Sequence, residues 1–262
     1  MPLVALQKLR GKLRHLNVTA EIRADSNAQI AESILHSAGS FSEPDFWEIS
    51  SRDLRCLFDA YDAHYFRGQL RRTLNDIPLE FRVSSRMTKA GGKTSSWRAE
   101  RNAPAVRFEI AISSTLLFHT FSGVDIARPI RVTGLACSNR LEALMRVMEH
   151  EIVHLSELMG WNASSCRQDR FRSIAFRTFG HTDHRHTLAT PREHASTLGI
   201  LAGAAVHFNF RGKRLYGIVN RVTRRATVLV PDPDGERFSD GQTYLRYYVP
   251  LQSLELVASN AG

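Results

Sequence analysis

RLEALMRVMEHEIVHLSELMG, residues 140–160, is the best helical pattern in the chain. It holds no proline, and Leu141, Leu144, Met148 and Ile152 form an apolar stripe. Gly160 is the expected stop. Within it, His150 and His154 are four residues apart, so both side chains leave one face of the helix. Glu151 follows His150 and completes H-E-x-x-H as HEIVH. Two imidazoles at this spacing can hold one zinc ion, and the glutamate can reach a water in the open coordination position. Such a metal lowers the pKa of that water and polarises a carbonyl. Glu151 would take the proton and pass it to the leaving amine. HExxH also arises by chance on solvated helix faces. Here apolar turns precede it and Ile152 and Val153 are apolar, which weighs toward a metal site. Glu157 reads as a surface group or as one that orients a ligand histidine.

A catalytic zinc needs a third protein ligand. HLSELMGWNA does not continue as HxxGxxH. Two sources remain. Cys166 stands at the start of the helical run CRQDRFRSIAFRTFG, which Gly180 closes; His181, His184 and His186 follow it in HTDHRH. A helix of that length, about 20 Å, keeps the two ends from serving one metal. Otherwise Cys166 is a small buried apolar residue, and the histidines form a polar surface turn.

The remaining sequence surrounds this helix with an α+β pattern. LRCLFDAYDAHYF carries Leu54, Leu57, Phe58, Tyr61 and Tyr65 at helical spacing, and Gly68 ends it. LEFRVS and VRFEIAIS alternate as strands of a small antiparallel sheet, with Gly91-Gly92 as a turn between them. In VRFEIAIS, Val106, Phe108, Ile110 and Ile112 share a side. PREHASTLG opens a short helix on its proline. Residues 1–48 hold two helical candidates, the first basic, and read as an extension or cover. From about residue 200 the texture is β-rich: Val206, Phe208 and Phe210 alternate, LYGIVNRV and ATVLVP are strands, and PDPDGERFSDG is a loop. Four or five strands in so short a stretch point to a small barrel.

Composition bounds the rest. The chain has 262 residues, 43% hydrophobic and 23% charged, as in ordinary globular proteins. No run of eighteen apolar residues occurs, so no membrane span is expected. The N-terminus lacks the apolar core and small-residue cleavage site of a secretory signal. Cys56, Cys137 and Cys166 are too few and too scattered for a disulfide framework and fit a reducing, cytoplasmic setting. A formal charge of +9 favours polyanions near the surface. Lys213, Arg214, Arg221, Arg224 and Arg225 could contact phosphates, while Tyr216, Tyr244, Tyr247 and Tyr248 could stack on bases or fill the barrel wall.

Taken together, LFDAYDAHYFRGQL, the short strands around Gly91-Gly92, VRFEIAIS followed by STLL, and MEHEIVHL resemble the SprT-like zinc metalloproteases. That family includes the Spartan-type proteases that degrade proteins crosslinked to DNA. The resemblance covers roughly residues 50–180. It implies a minigluzincin-like α+β domain, with His150 and His154 as zinc ligands and Glu151 as the general base. The family's third ligand is a histidine opening the next helix in an HGxxF-like setting. Here the region reads SSCRQDRF. Phe171 keeps the aromatic position and Cys166 lies one residue further from it than the family histidine. Either Cys166 replaces that histidine, or the ligand has moved to His181 or beyond. Many relatives carry a C-terminal zinc ribbon; no cysteine follows Cys166, and 202–257 resembles an SH3-like or KOW-like barrel instead.

The expected architecture is therefore α+β in three parts. These are an N-terminal helical extension (1–48), a SprT-like metalloprotease domain (49–198) and an SH3-like small β-barrel (202–258). The expected function is a zinc metalloendopeptidase that uses Glu151, with zinc on His150, His154 and Cys166. Its partners would be a protein or peptide substrate and DNA or another nucleic acid, with no membrane. The alternative is a non-catalytic nucleic-acid- or protein-binding module built on a protease-like metal domain.

Overall fold

The central helix forms as α6 (Arg140–Trp161) and is buried on nearly every side. Alongside several buried polar residues, it contributes Leu141, Leu144, Met148, Ile152, Leu155 and Met159 to one core. Each such side chain contributes about 1.5–3 kcal/mol on burial. Asn139 caps the start, its side chain accepting from the Glu142 N–H at 2.9 Å. The helix runs through Gly160 and stops at Asn162, which takes a left-handed conformation at φ 60°.

This is a computed structural model; it describes residues 1, 3–37, 39, 41–100, 103–122 and 128–257. The fold is mixed α+β with small sheets, in two compact units. The first unit takes the described residues up to Phe121 and Arg128–Leu188; the second takes Ser122 and the described residues from Ala189 onward. The expected boundary near 198–202 thus moves back to 188. Helix α8 (Pro191–Thr197), capped by Thr190 and Glu193, belongs with the second unit because Ala195 enters its core. Residue 258, the expected end of that domain, lies outside the described residues.

Helices α1 (Leu3–His15) and α2 (Ala20–Ser37) are not a separate extension. Leu9, Leu13, Ile30 and Ile34 are buried in the same core as α6. Arg10 Nε donates to the Gly160 carbonyl at 2.5 Å. Helix α3 (Ser51–Tyr61), opened by a Ser50–Asp53 capping box, buries Leu54, Leu57, Phe58 and Tyr61 as its spacing predicts. A π-helical turn (Asp62–Phe66) and α4 (Gln69–Leu74) follow. Asp62 closes this corner by accepting from the N–H groups of Leu70 and Arg71, both at 2.9 Å.

The sheet of the first unit differs from expectation. Its order is β1-β3-β2, with β1 (Leu79–Ser84) parallel and β2 (Gly92–Arg98) antiparallel to β3 (Ala105–Ser113). It is mixed, not antiparallel, because β2 takes the other edge of β3. Gly92 begins this strand and is not part of a turn. β3 is the central strand, so Phe108, Ile110, Ala111 and Ile112 are all buried, whereas Val106 at its outer end is exposed. Helix α5 (Ser114–Thr120) follows β3 directly, and a two-residue pair, β4 (Arg131–Val132) with β5 (Leu135–Ala136), precedes α6. Helix α7 (Asp169–Phe179) ends at Gly180, φ 75°, as expected.

In the second unit, β6 (Ala205–Phe210), β7 (Lys213–Val222), β8 (Ala226–Arg237) and β9 (Thr243–Val249) form a meander. β10 (Glu255–Leu256) returns to pair with β6. The order is β10-β6-β7-β8-β9, and among the described residues β9 and β10 do not pair, so hydrogen bonding does not close the barrel. β8 runs through much of the expected PDPDGERFSDG loop by bulging between Pro231 and Glu236. No helix among the described residues is long and apolar enough to cross a membrane.

Candidate metal centre

Burial of α6 forces its polar residues to find partners, because an unpaired buried polar group costs about 1–3 kcal/mol. Glu149, Glu151, Ser156 and Glu157 are all buried. Ser156 donates to the Ile152 carbonyl at 2.7 Å. The three carboxylates each recruit a different element, and together these contacts build the site.

His150 and His154 project from α6 with their Nε2 atoms 3.2 Å apart. Tetrahedral zinc with Zn–N bonds of 2.0–2.1 Å sets its nitrogen ligands roughly 3.3 Å apart. Cys166, in the turn before α7, joins them. Among the described residues these three form the one group of potential ligands whose atoms converge, all within 4.8 Å of one another. The donor set, two imidazoles and a thiol, is zinc chemistry. Burial and the neighbouring His154 hold His150 far below the usual histidine pKa, at about 2. Burial likewise lowers His154 to about 4. Both rings are therefore neutral at pH 7, the form that ligates a metal.

The outer contacts fix one ring. Ser164 donates to Glu157 Oε2 at 2.7 Å, so its oxygen accepts from His154 Nδ1, also 2.7 Å away. That bond assigns the His154 proton to Nδ1 and leaves the Nε2 lone pair facing His150. Arg170 holds the other oxygen of Glu157 at 2.5 Å. Glu157 thus orients the His154 ring through Ser164, and it is fully buried, not a surface group. His150 lacks such support: its Nδ1 is buried without a partner among the described residues. It packs instead on Phe171, whose ring centroid is 4.9 Å from that of His150 and 4.4 Å from that of His154. Ser164→Ala is expected to weaken zinc binding by about 10–100-fold. Competition with a calibrated chelator measures this, and an unchanged affinity would remove Ser164 from the ligand support.

Glu151 faces β2. Its Oε2 accepts from the Thr94 hydroxyl at 2.7 Å. Burial lifts its pKa to about 7, against the opposing pull of that bond. Gly92 makes the approach feasible: a Cβ there would lie 2.6 Å from Glu151 Oε1 and 2.7 Å from its Cγ. His150, Glu151, His154 and Cys166 all line one open cleft of about 580 Å³, together with Lys89–Thr94 and His184–His186.

The competing histidines go elsewhere. His181 Nε2 lies 2.8 Å from Glu149 Oε2, while Tyr61 and Arg146 hold Oε1 at 2.9 and 2.7 Å. Burial raises the Glu149 pKa, but Arg146 and His181 outweigh it and the net shift is downward. His186 Nε2 accepts from the Gly91 N–H at 3.1 Å and so pins the loop before β2. His184 sits 3.4 Å from Asp183 and lines the cleft. None of the three joins the converging ligand group. Sequence reasoning missed Thr94, Gly92 and Ser164. Ser164 carried a usable signal, a hydroxyl in the WNASS loop seven residues after Glu157; Thr94 and Gly92 carried none.

No family model, no curated protein and no solved structure matches this chain. The resemblance to SprT-like proteases therefore rests on the sequence motifs alone.

Proposed function

We propose that the first unit is a zinc-dependent endopeptidase of SprT-like, minigluzincin-like design, with His150, His154 and Cys166 as ligands and Glu151 as general base. One observation carries this reading. The facing Nε2 atoms of His150 and His154 share a cleft with Cys166 and with a buried carboxylate lifted toward neutrality. A purely structural metal site has no use for that carboxylate. Zinc bound there would supply Lewis acidity toward a carbonyl and toward water. Glu151 accepts a proton and later releases it to the leaving amine, and a pKa near the working pH suits both directions. Thr94 holds one of its oxygens and Gly92 gives it room. β2 is the sheet's edge strand beside the cleft, so its free backbone groups suit an extended peptide laid alongside. The test is elemental analysis of zinc together with hydrolysis of an unfolded protein. About one zinc per chain and chelator-sensitive cleavage are expected. No zinc after reloading would overturn the proposal.

A second reading concerns the other unit. Its strand order supports a small SH3-like barrel, and its outer face supports nucleic-acid binding. Tyr216 and Tyr248 are exposed on the same face as Arg214 and Arg221, by the register of β6 to β9. Of the other two tyrosines, Tyr244 is buried against Phe238, and Tyr247 lies against Phe208 and Phe210. Base stacking on an aromatic ring is worth about 1–3 kcal/mol per base. The double substitution Tyr216→Ala with Tyr248→Ala is therefore expected to weaken single-stranded DNA binding at least about tenfold at fixed salt. Unchanged binding would count against this face.

A further inference from the structure

A second cavity, of about 550 Å³, lies in the first unit between α7 and the His181–His184 stretch. We propose that it receives a tyrosine side chain of the peptide lying in the metal cleft. This deepens the endopeptidase reading and rests on it.

Continuity with the cleft comes first. His184 lines both the cleft and the cavity. Phe171 forms part of the cavity wall and also packs on both ligand histidines. A peptide crossing the metal centre therefore has a neighbouring side chain within reach of the opening. The lining chemistry comes second. Phe171, Ala175 and Phe176 make an apolar surface, and Phe176 stays 59% exposed in the middle of α7. An exposed aromatic beside a cavity suits a ring in offset or edge contact. An unsatisfied polar atom comes third. His181 lines the cavity and is 4% exposed, and its Nδ1 has no partner among the described residues. Its Nε2 is committed to Glu149. A phenol can donate or accept, so it satisfies that nitrogen in either protonation state. Phenylalanine fills the apolar part alone, and alanine fills neither.

The experiment uses the full zinc-loaded chain carrying Glu151→Gln, so that peptides bind without turnover. The probes are end-blocked Ala/Ser heptapeptides with tyrosine, phenylalanine, alanine or aspartate scanned through each position. One position is expected at which tyrosine binds at least about tenfold more tightly than alanine, with phenylalanine between them. Phe176→Ala and Phe176→Asp, both at an exposed position, should bring that ratio to within about threefold. Equal binding of all four series would overturn the proposal, as would a tyrosine advantage that survives both Phe176 variants. The wild-type chain on the same peptides separates the two readings. Tyrosine-dependent binding without cleavage would refute the peptidase and keep the pocket. Cleavage indifferent to tyrosine at every position would refute the pocket and keep the peptidase.

Discussion

Glu151→Gln should lower the rate of peptide hydrolysis by about 10²–10⁴-fold and leave zinc bound. The glutamine keeps the shape and can still pair with Thr94, so the metal ligands stay where they are. It cannot take a proton. Metal content and hydrolysis on the same preparation check this; retained hydrolysis would remove Glu151 as the base. The same variant carries a stability signature in the metal-free protein. Burial raises the Glu151 pKa from 4.5 to about 7. Between those values the folded state binds more protons than the unfolded state, so stability falls as pH rises through that window. The full shift corresponds to roughly 3 kcal/mol. Metal-free Glu151→Gln should thus exceed wild type in urea unfolding at pH 8 and match it near pH 4.

Removing a ligand has the other large effect. His154→Ala and Cys166→Ala should each weaken zinc binding by more than about 100-fold, the upper end for loss of an outer partner. His154→Ala also strands Ser164 and Glu157 without the imidazole they orient. Cys166→Ala decides between the two sources of the third ligand. If zinc content falls with Cys166→Ala and holds with His184→Ala and His186→Ala, the thiol is the ligand. If Cys166→Ala retains zinc and a histidine variant loses it, that histidine takes the role. His181 is a poor control because Glu149 depends on it inside the core.

The central helix, the convergence of His150 and His154 with Glu151 beside them, and the place of Cys166 were legible because each sits in a local pattern: heptad-like apolar spacing, a fixed i, i+4 pair, a turn before a helix. The parallel pairing of β1 with β3 was not, because alternation in LEFRVS and VRFEIAIS is the same for either direction. β2 was missed because an edge strand half in water has no apolar alternation to show, and GKTSSWR has almost none. Thr94 and Glu151 are 57 residues apart, so their bond exists only once the sheet lies on α6. Helices α1 and α2 looked like a cover because their apolar stripes are short, yet those stripes complete the core. β8 outran its expected end because a bulge absorbs the Pro-Asp-Pro-Asp stretch that normally breaks a strand.

An unpaired strand edge beside an open cleft is also a route to self-association. β2 meets this hazard with charge near both ends, Lys93 and Arg98, and with a bulge between Trp97 and Arg98. Two copies paired antiparallel about Lys93 would set the two lysines directly opposite each other. Like charges directly opposed in a sheet are destabilising. The edge that invites a foreign extended chain therefore repels its own twin, and a neutral or acidic replacement at Lys93 would trade that selectivity for aggregation.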